Sequence, residues 1–192
     1  MNVHTKVPTN GGWWTEKFGD AWKQQIEMLK SEFSSEIEEI RTPWDYPTDV
    51  PIVYVKKASL LKLLEYMKTD SHFAYVYLAD LTATDEEATG NAGRRFELVY
   101  NLYAWEKGAR IRVKCRLAEG EEAPSSIGVW KGADWAEREI FDMFGIRFTG
   151  HPNLRRILMD YRWVGYPLRK DYPLDGFQLF PDAEAPDPER LK

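Results

Sequence analysis

Four charged residues close together, Glu137, Arg138, Glu139 and Asp142, are the first candidates for chemistry. Paired carboxylates can divide the work of a general acid and a general base. No histidine stands beside them, however. Glu139 and Asp142 are three apart on a helical pattern with Arg138 alongside, which is the spacing of ion pairs. Ion pairing is therefore read ahead of catalysis. The three histidines, His4, His72 and His151, are scattered, and no HxxxH or HExxH pair is present to grip a metal. His151 precedes a proline and is expected to be a hydrogen-bonded turn residue. The single cysteine, Cys115, excludes an internal disulfide framework and any cysteine-ligated cluster or zinc site. There is no Walker A loop, no GxGxxG after a strand and no GxSxG. Hence no catalytic, cofactor-binding or metal-binding residue is assigned.

Elements that would carry these residues follow from the apolar spacing. Residues 1–19 mix Gly, Pro, Thr and Trp without a period and are expected to form an irregular arm containing Trp13-Trp14. Trp22, Ile26, Leu29 and Phe33 recur at helical steps and predict a helix over 20–33. Glu36 to Arg41 either ends that helix or forms a short strand, and Pro43, Pro47 and Pro51 mark a loop. Ile52 to Val55 reads as a strand. Ser59 is expected to cap a helix whose buried face is Leu60, Leu63, Leu64 and Met67. Phe73, Tyr75, Tyr77 and Leu81 alternate and should share one strand face, as should Phe96, Leu98, Tyr100 and Leu102. In the next strand Ile111, Val113, Cys115 and Leu117 alternate with Arg110, Arg112, Lys114 and Arg116, giving one buried face and one cationic face. Cys115 lies on the apolar side, a small buried hydrophobe.

This order, α-β-β-α-β-β-β with hairpins that imply a mainly antiparallel sheet, predicts an α+β two-layer sandwich over 20–117. A short helix then begins at Asp134, with Asp134 and Glu137 in a capping pattern and Gly145 as its stop. From residue 146 onward no core-forming period survives. A segment rich in Trp, Tyr, Arg and Leu without such a period has the composition of an interface. Residues 118–176 are therefore a signature helix plus an extended C-terminal interface segment, and 177–192 an acidic tail.

The chain has 192 residues, 43% hydrophobic and 30% charged, enough for one globular domain with an extension. A net charge of −5 argues against non-specific nucleic-acid binding. No apolar run is long enough to span a membrane. Met1 to Asn10 holds no apolar core and no Arg-rich amphipathic stretch, so no signal or transit peptide is expected. The net charge hides segregation: residues 94–116 carry seven basic against two acidic side chains, and the flanking blocks are acidic. Alternating blocks suit charge-complementary docking.

One stretch is specific. Glu137-Arg138-Glu139, Asp142, Phe144-Gly145-Ile146, Gly150-His151-Pro152 and Leu154-Arg155-Arg156-Ile157-Leu158 follow one another, and Pro167 to Leu174 (PLRKDYPL) comes after. Together with Leu81-Thr82-Ala83 and the strand pair around Phe96–Val113, these residues resemble the thirty-kilodalton (C) subunit of respiratory complex I, NADH:quinone oxidoreductase. The resemblance covers about residues 20–176. It implies the same sandwich fold and a scaffold role in the peripheral arm, with no cofactor held by the chain itself. Flavin and iron–sulfur clusters would sit in partner subunits, chiefly cluster-bearing neighbours beside the quinone-site subunit. It further implies a peripheral place on the cytoplasmic side of the bacterial inner membrane, without insertion. The chain would then be a non-catalytic part of an enzyme, inactive alone.

Under that resemblance Glu137, Arg138, Glu139, Asp142 and His151 are expected to fix the segment and face another subunit. Arg155, Arg156, Arg169 and Lys170 are expected to pair carboxylates of a neighbour, a geometry guanidinium favours over phosphate or lipid contact. Trp163 and Asp171 complete the expected interface, with Trp130, Trp135, Phe141, Phe144, Tyr161 and Tyr166 as anchors rather than as the lining of a quinone channel. On this reading, reversing Arg155 and Arg156 weakens docking and barely moves the isolated chain's melting temperature. Three other roles remain open from the sequence: the equivalent subunit of a ferredoxin-driven quinone oxidoreductase or membrane-bound hydrogenase, a free-standing anion-binding module using the cationic strand face, and a small independent oxidoreductase.

Overall fold

The computed structural model describes residues 13–87 and 93–175. Most of the expected irregular arm and the whole acidic tail of 177–192 lie outside the described residues. In chain order the elements are α1 (Trp13–Glu32), β1 (Ile37–Arg41), β2 (Ile52–Val55), α2 (Leu60–Thr69), β3 (Tyr77–Asp85), β4 (Phe96–Ala104), β5 (Ala109–Leu117), β6 (Ala123–Pro124), α3 (Ala133–Phe144) and β7 (Phe148–Thr149). The five long strands form one sheet in the order β1-β2-β5-β4-β3. Neighbours run antiparallel except β2 and β5, which are parallel. One core cluster joins the inner sheet face to Leu29 and Phe33 of α1 and to Leu60, Leu63, Leu64 and Met67 of α2. This is the α+β two-layer sandwich that the spacing predicts. Each fully buried Leu or Met in that layer contributes about 1.5–3 kcal/mol of burial.

β5 shows the predicted polarity. Ile111, Val113, Cys115 and Leu117 are buried, and burial pushes the Cys115 thiol up to about 12, so it stays protonated and inert. The opposite cations are not bare. Arg116 meets Glu97 at 3.1 Å and Glu39 at 3.2 Å, Lys114 meets Glu97 at 2.7 Å, and Arg112 bonds Asn101 at 2.9 Å. The Arg116 guanidinium also lies 4.0 Å from the centroid of the buried Tyr54 ring. The cationic face is thus neutralised within the sheet, which removes the basis for a free-standing anion-binding module.

Several expectations need correction. α1 starts at Trp13, inside the stretch read as irregular, because Phe18 continues the Trp22 stripe backwards and both rings are buried. That packing outweighs the helix cost of Gly19, about 1 kcal/mol. Glu36 to Arg41 is mostly strand, as β1. Ser59 stands at the α2 N-cap position but makes no side-chain cap bond, since a 3-10 turn, Lys57–Ser59, leads into the helix. The α3 N-cap is Gly132, and Asp134 falls in the first turn, so the Asp134/Glu137 capping pattern is not formed. Tyr77 does not share a face with Phe73, Tyr75 and Leu81. It is exposed, because Ala74 takes a positive φ and a bulge at Ala79 shifts the register between Leu78 and Asp80. Finally, the core does not stop before residue 146: Ile146 and Phe148 are buried in the main cluster, with Leu154 and Met159 packed against it.

Candidate functional site

α3 and the segment after it hold most of the residues singled out by sequence. Ile140, Met143 and Phe144 bury one stripe of α3 in the core. The same helix buries two carboxylates completely, Glu137 and Asp142. A buried ionised carboxylate is costly unless every lone pair is satisfied. Asp142 Oδ2 accepts the backbone N–H groups of Ile157 at 3.0 Å, Leu158 at 2.8 Å and Met159 at 2.9 Å, and its Oδ1 accepts from Arg156 Nη1 at 2.6 Å. Burial alone would raise the Asp142 carboxyl; the three amides and Arg156 overcome it and hold the carboxyl below its ordinary value. Arg156 also donates to the Gly165 carbonyl at 2.9 Å. Arg138 donates to the Arg155 and Arg156 carbonyls at 3.2 and 3.4 Å. So residues 155–159 form a strap tied side-on to α3.

Gly145 makes the sharp exit possible. It ends α3 at φ +78°, and a Cβ there would come within 2.5 Å of the Tyr166 ring, which lies back against the helix end.

Glu137 faces the other way. Its carboxylate accepts Ser125 Oγ, Ser126 Oγ and the Ser126 N–H, each at 2.7 Å. Burial raises its carboxyl despite these bonds. His151, whose side chain is fully buried, takes the Asn153 N–H on Nδ1 at 3.0 Å. Its proton therefore sits on Nε2, which donates to the Asp134 carbonyl at 3.2 Å. These contacts make a turn, and no described residue adds a nucleophile. Glu137→Gln should keep all three bonds, since the new amide can donate to Ser125 Oγ. Because the folded carboxyl is raised, Glu137 stabilises the fold below its unfolded value and that gain is lost as pH rises through the folded value. Melting profiles should show Glu137→Gln at least as stable as wild type at neutral pH, with a flatter fall above pH of about 4.3. Glu137→Ala should cost about 2–4 kcal/mol through orphaned donors and a cavity. A destabilised Glu137→Gln at neutral pH would show that the charge itself is needed.

A second tie was not visible in the sequence. Arg95 binds the buried carboxylate of Asp85 at 2.8 Å, Asp171 at 2.7 Å and Glu119 at 3.2 Å. Asp171 brings its partner across from the strap, and its carboxyl is held down by Arg95. The Lys170 N–H donates to Asp85 at 2.9 Å, and Arg169 donates to the Phe144 carbonyl at 2.6 Å and to Glu119 at 2.8 Å. Asp85, Glu87 and Asp171 converge closely enough to suggest a metal set. The Arg95 guanidinium already supplies the cation among them. Asp85 and Arg95 flank the turn between β3 and β4, where acid and base look like solvated loop residues.

Of the residues expected at an interface, Glu137, Arg138, Asp142, His151, Arg156, Arg169 and Asp171 thus hold the strap to its own domain. Reversal of Arg156 would break a pair with a buried carboxylate, so the expected indifference of the melting temperature is withdrawn. Glu139 and Lys170 are exposed, and Trp163 stacks on Tyr172 at 6.4 Å. What the strap turns outward is apolar: Leu158, Tyr161, Val164, Leu168 and Leu174 are all more than half exposed, and Trp135 on α3 is 69% exposed. Neighbouring exposed apolar side chains on a polar-anchored segment are the signature of a docking surface. Among the described residues no helix is long and apolar enough to cross a membrane.

Comparison with known proteins agrees with this geometry. The family described as the 30 Kd subunit of respiratory-chain NADH dehydrogenase matches residues 53–178. The NADH-quinone oxidoreductase C subunit of a Ruegeria species is 39% identical over 155 residues, 80% of this chain and 75% of that protein. The protein of that name from Sinorhizobium medicae is 48% identical over 122 residues, 64% of this chain and 59% of the relative. The matched stretch thus spans between 59% and 75% of these relatives' length. A chain in the structure of the membrane-bound sulfane sulfur reductase, an archaeal respiratory membrane complex, superposes with a TM-score of 0.58 at 22% identity, over 81% of this chain and 86% of that one. At that identity the likeness concerns the fold.

Proposed function

The chain belongs to the family of the 30 Kd subunit of respiratory-chain NADH dehydrogenase, and from that premise we propose that it is a cofactor-free scaffold in the peripheral arm of a proton-translocating NADH:quinone oxidoreductase. Its work is positional. Electron transfer between centres requires fixed separations, and a rigid sandwich with a pinned strap can brace the quinone-site subunit and its cluster-bearing neighbours. The observation that carries this reading is the strap itself. Its charged groups are spent inward on Asp142, Asp85 and Arg95, and its large apolar side chains face out. The peripheral, cytoplasmic-side location follows from the same reading.

A tagged chain recovered from membranes should bring flavin- and cluster-bearing subunits with it, along with NADH:quinone activity. Tyr161→Ser combined with Leu168→Ser should leave the isolated chain's melting temperature within about 0.5 kcal/mol of stability. The same pair should reduce recovery of the partners by roughly tenfold or more. Co-purification of a ferredoxin-linked or hydrogenase module instead would reassign the parent complex. Recovery of the chain alone would overturn the scaffold role.

A further inference from the structure

α3 packs beside β3, and between them runs an open groove of about 560 Å³. Its floor is Leu78 to Thr82 of β3, and its walls are Trp135, Ala136 and Glu139 of α3 with Ile157 and Leu158 of the strap. β3 is the outermost strand, with β4 on one side only. The bulge at Ala79 interrupts regular ladder geometry just there. An incoming segment would therefore be selected by side chains rather than added as a full strand.

Two kinds of group face the groove. Trp135 and Leu158 are 69% and 62% exposed, large apolar surfaces at its mouth. Asp80 and Glu139 are exposed carboxylates, and neither is in an ion pair with a described residue; Asp80 has only a long contact from the Asn101 amide at 3.4 Å. This contrasts with the acids nearby. Asp85, Glu97, Glu119, Asp142 and Asp171 each hold a cation of the same chain. Uncompensated carboxylates beside low-dielectric aromatic surface attract a cation.

We propose that this groove takes an extended segment of a neighbouring polypeptide that places an Arg or Lys between Asp80 and Glu139 and an apolar side chain against Trp135 and Leu158. The proposal rests on the scaffold reading and names a second contact, on the opposite side of α3's strap from the Asp85–Arg95 tie. The occupant is a peptide and not a lipid surface, because a cleft with two acids repels anionic headgroups.

The test uses the assembled complex in its own membranes. A benzophenone-bearing residue in place of Trp135 should cross-link, on illumination, to a Lys- or Arg-containing segment of a neighbouring subunit, read by mass spectrometry. Asp80→Lys with Glu139→Lys should leave the isolated chain's melting temperature unchanged and weaken retention in the complex roughly tenfold, more strongly at low salt. Glu139→Gln with Asp80→Asn should fall between. Cross-links to lipid, to a second copy of this chain or to an acidic segment would overturn the groove assignment, as would full retention of the charge-reversed chain. In each of those cases the scaffold role stands if wild type still co-purifies. Wild-type chain recovered alone would overturn that role and the groove contact with it.

Discussion

Asp142→Ala should cost the isolated chain about 3–5 kcal/mol, the loss expected when one partner of a buried ion pair is removed. The reason is the number of donors that meet on one carboxylate. Three consecutive amides and the Arg156 guanidinium lose their acceptor together, at a side chain that is fully buried. Asp142→Asn should cost less, because one oxygen survives, yet its amide group would confront an N–H. Amide exchange should reveal the place of the damage, with protection at Ile157 to Met159 lost first. The pH dependence has a definite sign. The Asp142 carboxyl is depressed in the fold, so its stabilisation is complete above the unfolded value of about 3.9 and disappears as pH falls through the folded value. Acid should therefore release the strap in wild type and change little in Asp142→Ala. Urea unfolding that places Asp142→Ala within about 1 kcal/mol of wild type would show the strap to be held chiefly by its apolar contacts.

The second large effect is expected in the sheet. Val113 is fully buried, opposite Tyr100 on β4 and Val53 on β2. Val113→Asp should cost about 3 kcal/mol or more through an unpaired buried charge. Arg112, one residue earlier, points to the other face and meets Asn101 and Asp49. Arg112→Asp should cost about 1 kcal/mol at most, since the partners it loses are half-exposed. Equal melting temperatures for the two variants would mean that the register is shifted by one.

Periodicity carries the reading wherever burial is decided along a single element. Leu60, Leu63, Leu64 and Met67 are all fully buried, as their spacing requires, and β5 alternates as its residues do. Local patterns fail where a distant contact outweighs them. Phe18 has the surroundings of an arm residue, yet Trp22 and Ala109 close a small cluster around it. Tyr77 is turned outward by one extra residue, which alternation cannot announce. The strap is legible as a family signature and as an aperiodic, aromatic-rich stretch. Its tethers are not, because Arg95 and Asp171 are 76 residues apart and a buried Asp142 is written with the same letter as a solvated one. Fold class is a sum over many periodic positions, whereas each tether depends on one pair.

The parallel contact between β2 and β5 has a kinetic side. β3, β4 and β5 form a meander of neighbours in sequence and in space, so they can pair as soon as they emerge from the ribosome. β2 can find β1 early, but its other edge belongs to β5. The 62 residues from Val55 to Leu117 take about 3–12 s to synthesise at typical rates. During that time Ile52, Val53, Tyr54 and Val55, all buried in the finished protein, present an open apolar edge to whatever else is nearby. Gly108, at φ +65°, forms the turn that brings β5 home. A substitution there that slows the meander would lengthen the exposure, and yield would fall through aggregation of nascent chains even if the completed fold were equally stable.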